Sequence, residues 1–236
     1  MRVGVRNNPT ERSAMHQPNF PRRQSGFTLI EIAIVLVIIG LLLGGILKGQ
    51  ELITSARVRN IIAQLDGAKA AVFGFQDRFR ALPGDFSQAE TQIAGASEDG
   101  DGNGVIAGNE AIAAWDHLSH AGFINGIYVY NATESATTTP INPYGARLQL
   151  IHDDVYADSG TPTARTNLKT GPQIPVDILA EIDRKTDDGN ALRGSMRFSA
   201  YAAGSTAPTA ADCYDAATGE WLAGSGEANC GAAILF

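Results

Sequence analysis

Basic side chains are scarce once the first 26 positions are passed. Those positions hold five arginines (Arg2, Arg6, Arg12, Arg22 and Arg23) against Glu11, a local balance of +4, so the −7 of the whole chain leaves −11 for the rest. An acidic body of this kind argues against a broad phosphate-binding surface, because non-specific nucleic-acid affinity comes from clustered Lys and Arg. Cysteine is limited to Cys213 and Cys230. No phosphate loop, dinucleotide fingerprint or internal repeat is present, and Ser195 lacks a G-x-S-x-G setting. His117 and His120 stand three apart with no third metal ligand nearby in sequence. Asp153-Asp154 and Asp187-Asp188 sit beside turn or strand-end residues and read as solvated turns. With no catalytic constellation, the expectation is a protein that is not an enzyme.

Only one long hydrophobic run exists, and it organises the chain. Sixteen residues from Ile32 to Leu47 carry no charge. With its flank from Phe27 the segment would rise about 31 Å as a helix, enough to cross a hydrocarbon core of about 30 Å. Glu31 lies inside that segment, where a charge costs roughly 2.5–3.5 kcal/mol on insertion scales, so it needs a partner. A cut between Gly26 and Phe27 would create one, a positively charged α-amino group at the head of the helix. Small residues of A-x-A type do not follow the apolar run, where Lys48-Gly49-Gln50-Glu51 stands instead. A secretory signal peptide would place them there. The arginine-rich leader fits retention in the cytoplasm.

Gly26-Phe27-Thr28-Leu29-Ile30-Glu31 followed by an apolar helix resembles the prepilin N-terminus of type IV pilins and type II secretion pseudopilins. The resemblance covers about 25 residues. It implies that a prepilin peptidase cuts after Gly26 and methylates Phe27. It also implies that Glu31 pairs with the new terminus of an adjacent subunit during assembly on an inner-membrane platform. An even cysteine count in an exported domain reads as a disulfide, here Cys213–Cys230, and a C-terminal disulfide loop is also what the resemblance implies.

Beyond the membrane segment Val58, Ile61, Leu65, Ala68, Val72, Phe75 and Phe79 recur at intervals of three and four, the stripe of a continuing amphipathic helix. Pro83-Gly84 should stop it near Arg80, after roughly 80 Å. Asp85 reads as the N-cap of a short helix burying Phe86, Ala89 and Ile93. A second helix is expected from Asn109 to about His120, and another from Val176 to Lys185 behind Pro175. Strands are expected at 126–130, 147–152 and 196–201, with surface loops at 132–139, 158–173 and 203–210.

Asp99-Gly100-Asp101-Gly102-Asn103-Gly104-Val105-Ile106-Ala107-Gly108-Asn109-Glu110 fits D-x-[DN]-x-[DN]-G-x5-E at each fixed position. In such a loop Asp99, Asp101 and Asn103 offer hard oxygens to Ca²⁺ and Gly104 permits the sharp turn. The Val105 carbonyl adds a ligand, Glu110 closes the site, and Ile106 would pin the loop to the core. Gly95-Ala96-Ser97 interrupts the incoming helix, which favours a single structural calcium loop over a sensor.

The expected fold is α+β: a long N-terminal transmembrane and spine helix with a C-terminal globular domain holding an antiparallel β-sheet. Residues 1–26 would be the leader and 27–80 the long helix, with 27–47 as membrane or filament core. Residues 81–125 would be the helical insertion with the calcium loop, and 126–236 the β-rich region with its disulfide loop. The expected role is a pilus subunit, major or minor, that self-assembles with other pilin subunits and binds no specific nucleic acid. Its precursor would sit in a bacterial inner membrane with the globular domain outside the cytoplasm, then enter an extracellular or periplasmic filament. The alternatives are a secretion pseudopilin that drives protein export and a membrane-tethered adhesin that never polymerises.

Overall fold

The computed structural model describes residues 26–236; the predicted leader, Gly26 apart, lies outside them. The described chain divides between Lys48 and Gly49 into two units. Helix α1 runs Leu29–Phe79. In the first unit its apolar side chains are exposed on every side, Leu29 at 93%, Leu36 at 63% and Leu41 at 72%. A helix that is apolar all round is stable only inside lipid or among other helices. By length and composition α1 is able to cross a membrane.

In the second unit the same helix becomes amphipathic. Val58, Ile61, Leu65, Ala68, Val72 and Phe75 are buried, the stripe that the sequence periodicity predicts. Each Leu, Ile or Phe so buried contributes about 1.5–3 kcal/mol. Then follow α2 (Ala89–Gln92), α3 (Glu110–His120), β1 (Gln149–Asp153), β2 (Arg165–Lys169), α4 (Val176–Thr186), β3 (Met196–Phe198), α5 (Ala210–Cys213) and β4 (Ala232–Leu235).

The four strands form an antiparallel sheet in the order β1-β2-β4-β3. Its register aligns one apolar row across all strands: Leu150 opposite Leu168, Leu168 opposite Ile234, Ile234 opposite Met196. This row joins the α1 stripe, Trp115 and Leu118 of α3, and Ile178, Leu179 and Ile182 of α4 in one core. The architecture is therefore α+β, as the sequence leads one to expect.

Three expectations fail locally. Residues 126–130 are irregular, not a strand; Ile127 and Val129 face solvent at 77% and 50% exposure. The expected loop 158–173 contains β2. Its Asn167 and Lys169 are buried on the far face of the sheet, where Lys169 Nζ pairs with Asp153 of β1. Asp85 does not cap α2, whose N-cap is Gln88; its carboxylate serves the glycine-rich loop instead.

Candidate functional sites

At the head of α1, Thr28 and Glu31 close on each other. The Thr28 amide and hydroxyl both donate to Glu31 Oε2, at 2.8 and 2.9 Å, and the Glu31 amide donates to Thr28 Oγ1 at 3.3 Å. This is a capping box, with threonine at the N-cap and glutamate at N3. Phe27, just before it, is 83% exposed. Among the described residues Glu31 therefore already has local hydrogen-bond donors in Thr28.

The acidic loop lies in the second unit between α2 and α3. Glycines let the backbone approach closely here. A β-carbon on Gly84 would lie 2.3 Å from the Glu110 carbonyl, and one on Gly100 would lie 2.2–2.4 Å from backbone atoms of Gly84 and Asp85. Asp85, only 3% exposed, accepts the Asn103 amide on Oδ1 at 2.8 Å and the Gly104 amide on Oδ2 at 2.9 Å. Asp101 Oδ1 accepts the Asn103 amide, and Asn103 Oδ1 accepts the Val105 amide. Glu110 receives the Asp101 amide on Oε1 and the Ala107 amide on Oε2. Ile106 is fully buried, and its carbonyl accepts the His152 amide of β1 at 2.8 Å, pinning the loop to the sheet.

Oxygens of Asp85, Asp101 and Glu110 all lie within 4.8 Å of one another. Like charges this close raise one another's energy unless a cation or proton intervenes. Asp99, the first position of the sequence motif, stands apart from this trio, and its Oδ1 accepts the Glu90 amide at 2.9 Å. Asp85, from outside the motif, joins Asp101 and Glu110 in the cluster instead. Sequence reading missed it because Asp85 lies outside the motif, and only the tight contacts at Gly84 and Gly100 bring it in.

His117 ties the loop to its frame. Its ring is fully buried. Nδ1 accepts the Gly84 amide at 2.9 Å, and Nε2 lies 2.8 Å from the Glu98 carbonyl. An acceptor at Nδ1 and a donor at Nε2 define the neutral Nε2–H tautomer. Burial pushes its pKa down from the ordinary 6.5. The neighbouring Asp116, also fully buried, accepts the Ser97 amide and hydroxyl and pairs with His120. Near the C-terminus Cys213 and Cys230 form a disulfide with Cα atoms 5.8 Å apart. Trp221, inside that disulfide loop, donates its Nε1–H to buried Asp183 of α4 at 2.7 Å.

Residues 21–47 match the family described as the prokaryotic N-terminal methylation motif. The chain thus carries the prepilin-type signature of the type IV pilin and pseudopilin superfamily on an α+β, pilin-like architecture. That motif implies processing by prepilin peptidase, and the apolar helix fits membrane anchoring of the precursor. The family is structural rather than catalytic. No curated protein and no solved structure matches the chain.

Proposed function

We propose that this chain is a pilin-like structural subunit, cut between Gly26 and Phe27, methylated on Phe27 and polymerised through α1 into a pilus as a major or minor subunit. The observation that carries this reading is Glu31 at the head of a helix whose apolar side chains are exposed all round. Such a surface is satisfied by lipid before assembly and by neighbouring α1 helices after it. Among the described residues the carboxylate takes hydrogen bonds from Thr28 alone; the Phe27 amine of a neighbouring subunit supplies an opposite charge and fixes the register. Filaments sheared from cells and analysed by mass spectrometry test this, alongside a Glu31→Ala strain. Processed chains beginning at N-methylated Phe27, absent from filaments of the variant strain, are expected. Processed chain confined to the envelope would move the assignment to a secretion pseudopilin, and unprocessed chain everywhere would overturn the filament reading.

The loop serves this subunit as a structural calcium site, with Asp85, Asp101 and Glu110 as carboxylate ligands and Asn103 and the Val105 carbonyl as the remaining oxygens. The donor set fits the ion, since every candidate atom is a hard oxygen of the kind Ca²⁺ prefers. Bound calcium would neutralise the three clustered carboxylates and fasten the α2–α3 connection. The chemistry is that of a staple, suited to weak sites outside the cell where calcium is plentiful.

A further inference from the structure

A second feature of the globular unit stands apart from both sites. Between α1, α3 and the segment after α3 lies a cleft of about 320 Å³, within the size range of small-molecule sites. Gln64, Gly67, Trp115, Phe123, Asn125 and Tyr128 give it its chemical character, and no charged side chain lines it. Trp115 is 1% exposed, and its Nε1–H meets no acceptor among the described residues. That nitrogen lies beneath the surface, so the indole walls the cleft and offers it no donor. Gln64 directs its Nε2 to the Ile141 carbonyl at 2.8 Å, which leaves its Oε1 as an acceptor. Phe123 and Tyr128 are part-exposed aromatic side chains in the lining, while the Asn125 amide offers a donor and an acceptor.

We propose that this cleft binds a neutral sugar ring. The combination of part-exposed aromatic side chains with amides able to donate and accept suits a ring bearing several hydroxyls. The absence of charge from the lining disfavours an anionic or cationic ligand, which would lose its hydration with no compensating partner. A purely apolar occupant would strip water from the Gln64 and Asn125 amides without replacing it. The proposal is independent of filament assembly, because the lining residues all belong to the globular unit.

The test is calorimetric titration of the full-length processed chain in detergent micelles with D-glucose, D-galactose and N-acetyl-D-glucosamine. Saturable heat with at least one of them is expected. Gly67→Leu should weaken it by about tenfold or more, the loss expected when bulk occupies a small-ligand site. A β-carbon at Gly67 meets nothing within 4 Å, so the added side chain enters the cleft without disturbing the backbone. Gln64→Ala, which removes an amide without adding bulk, should also weaken binding. Near-UV circular dichroism should match that of the unaltered chain for both variants. Silence with all three sugars would overturn the proposal, as would binding that Gly67→Leu leaves unchanged.

Discussion

His117 and Gly84 are joined by a hydrogen bond in which the backbone amide donates to Nδ1 at 2.9 Å, so the histidine works only while it is neutral. The folded state binds a proton at His117 less readily than the unfolded chain does. Its contribution is therefore complete above about pH 6.5 and declines as the pH falls below that. His117→Gln should destabilise the chain at pH 7.5 by about 2–3 kcal/mol, since the Gly84 amide and Glu98 carbonyl lose buried partners. It should also flatten the loss of stability with acid. Urea unfolding in micelles at several pH values reads both effects.

Asp183 acts in the opposite direction. Burial pushes its carboxyl up from 3.8 to about 6, against hydrogen bonds from Trp221 and the Gly189 amide that favour the charged form. A group with a raised pKa destabilises the fold above that pKa, and the penalty is relieved as the pH falls through about 6 toward 3.8. In the unaltered chain this gain offsets the loss at His117. Asp183→Asn should remove it, so that the variant loses stability more steeply between pH 7 and pH 5. A profile parallel to the unaltered chain would refute the assignment.

Calcium should raise the melting temperature over that seen with chelator, corresponding to about 1.4 kcal/mol at ten times the dissociation constant. Asp85→Ala should abolish the shift, whereas Asp99→Ala should keep most of it. Equal curves with calcium and chelator, and no binding heat, would remove the calcium site.

Asp153 and Lys169 bridge β1 and β2 on the far side of the sheet, with the lysine 3% exposed. Asp153→Ala leaves a buried ammonium uncompensated and should cost about 3–5 kcal/mol. Asp153→Ala with Lys169→Met should recover much of that, as a denaturation midpoint would show.

Reducing the Cys213–Cys230 bond, which spans a sequence separation of 17, should cost about 3 kcal/mol on the chain-entropy account. Differential scanning calorimetry with and without dithiothreitol measures the loss.

What could be read from the sequence divides along physical lines. The ridge of α1 and the buried face of α4 are periodic, so local pattern reveals them. Glu31 is visible because a charge inside an apolar run is costly wherever it sits. Thr28-Leu29-Ile30-Glu31 also spells a capping box, but weighing Glu31 only against the membrane hides that local role. β2 does not alternate, because a segment after β1 covers its outer face: Tyr156 clusters with Ala233 and Leu235, and the Ala157 amide binds the Phe198 carbonyl. Polar Asn167 and Lys169 are thereby buried. β4 is four buried residues, too short for any period to emerge. Asp85 finds its partners 18 and 19 positions away, a distance that no local motif records.

The position of β4 has a consequence for how the protein is made. It sits between β2 and β3, so neither pairing can form until residues 232–235 are available. Long-range pairings of this kind form late, because loop closure must precede the contacts that reward it. During synthesis α1 emerges first and can enter lipid while the chain behind it still lacks the strand that closes the sheet. A polypeptide in that condition has β1 and β2 paired at most, with β3 still unattached. Its resistance to unfolding therefore waits on the last few residues of the globular unit.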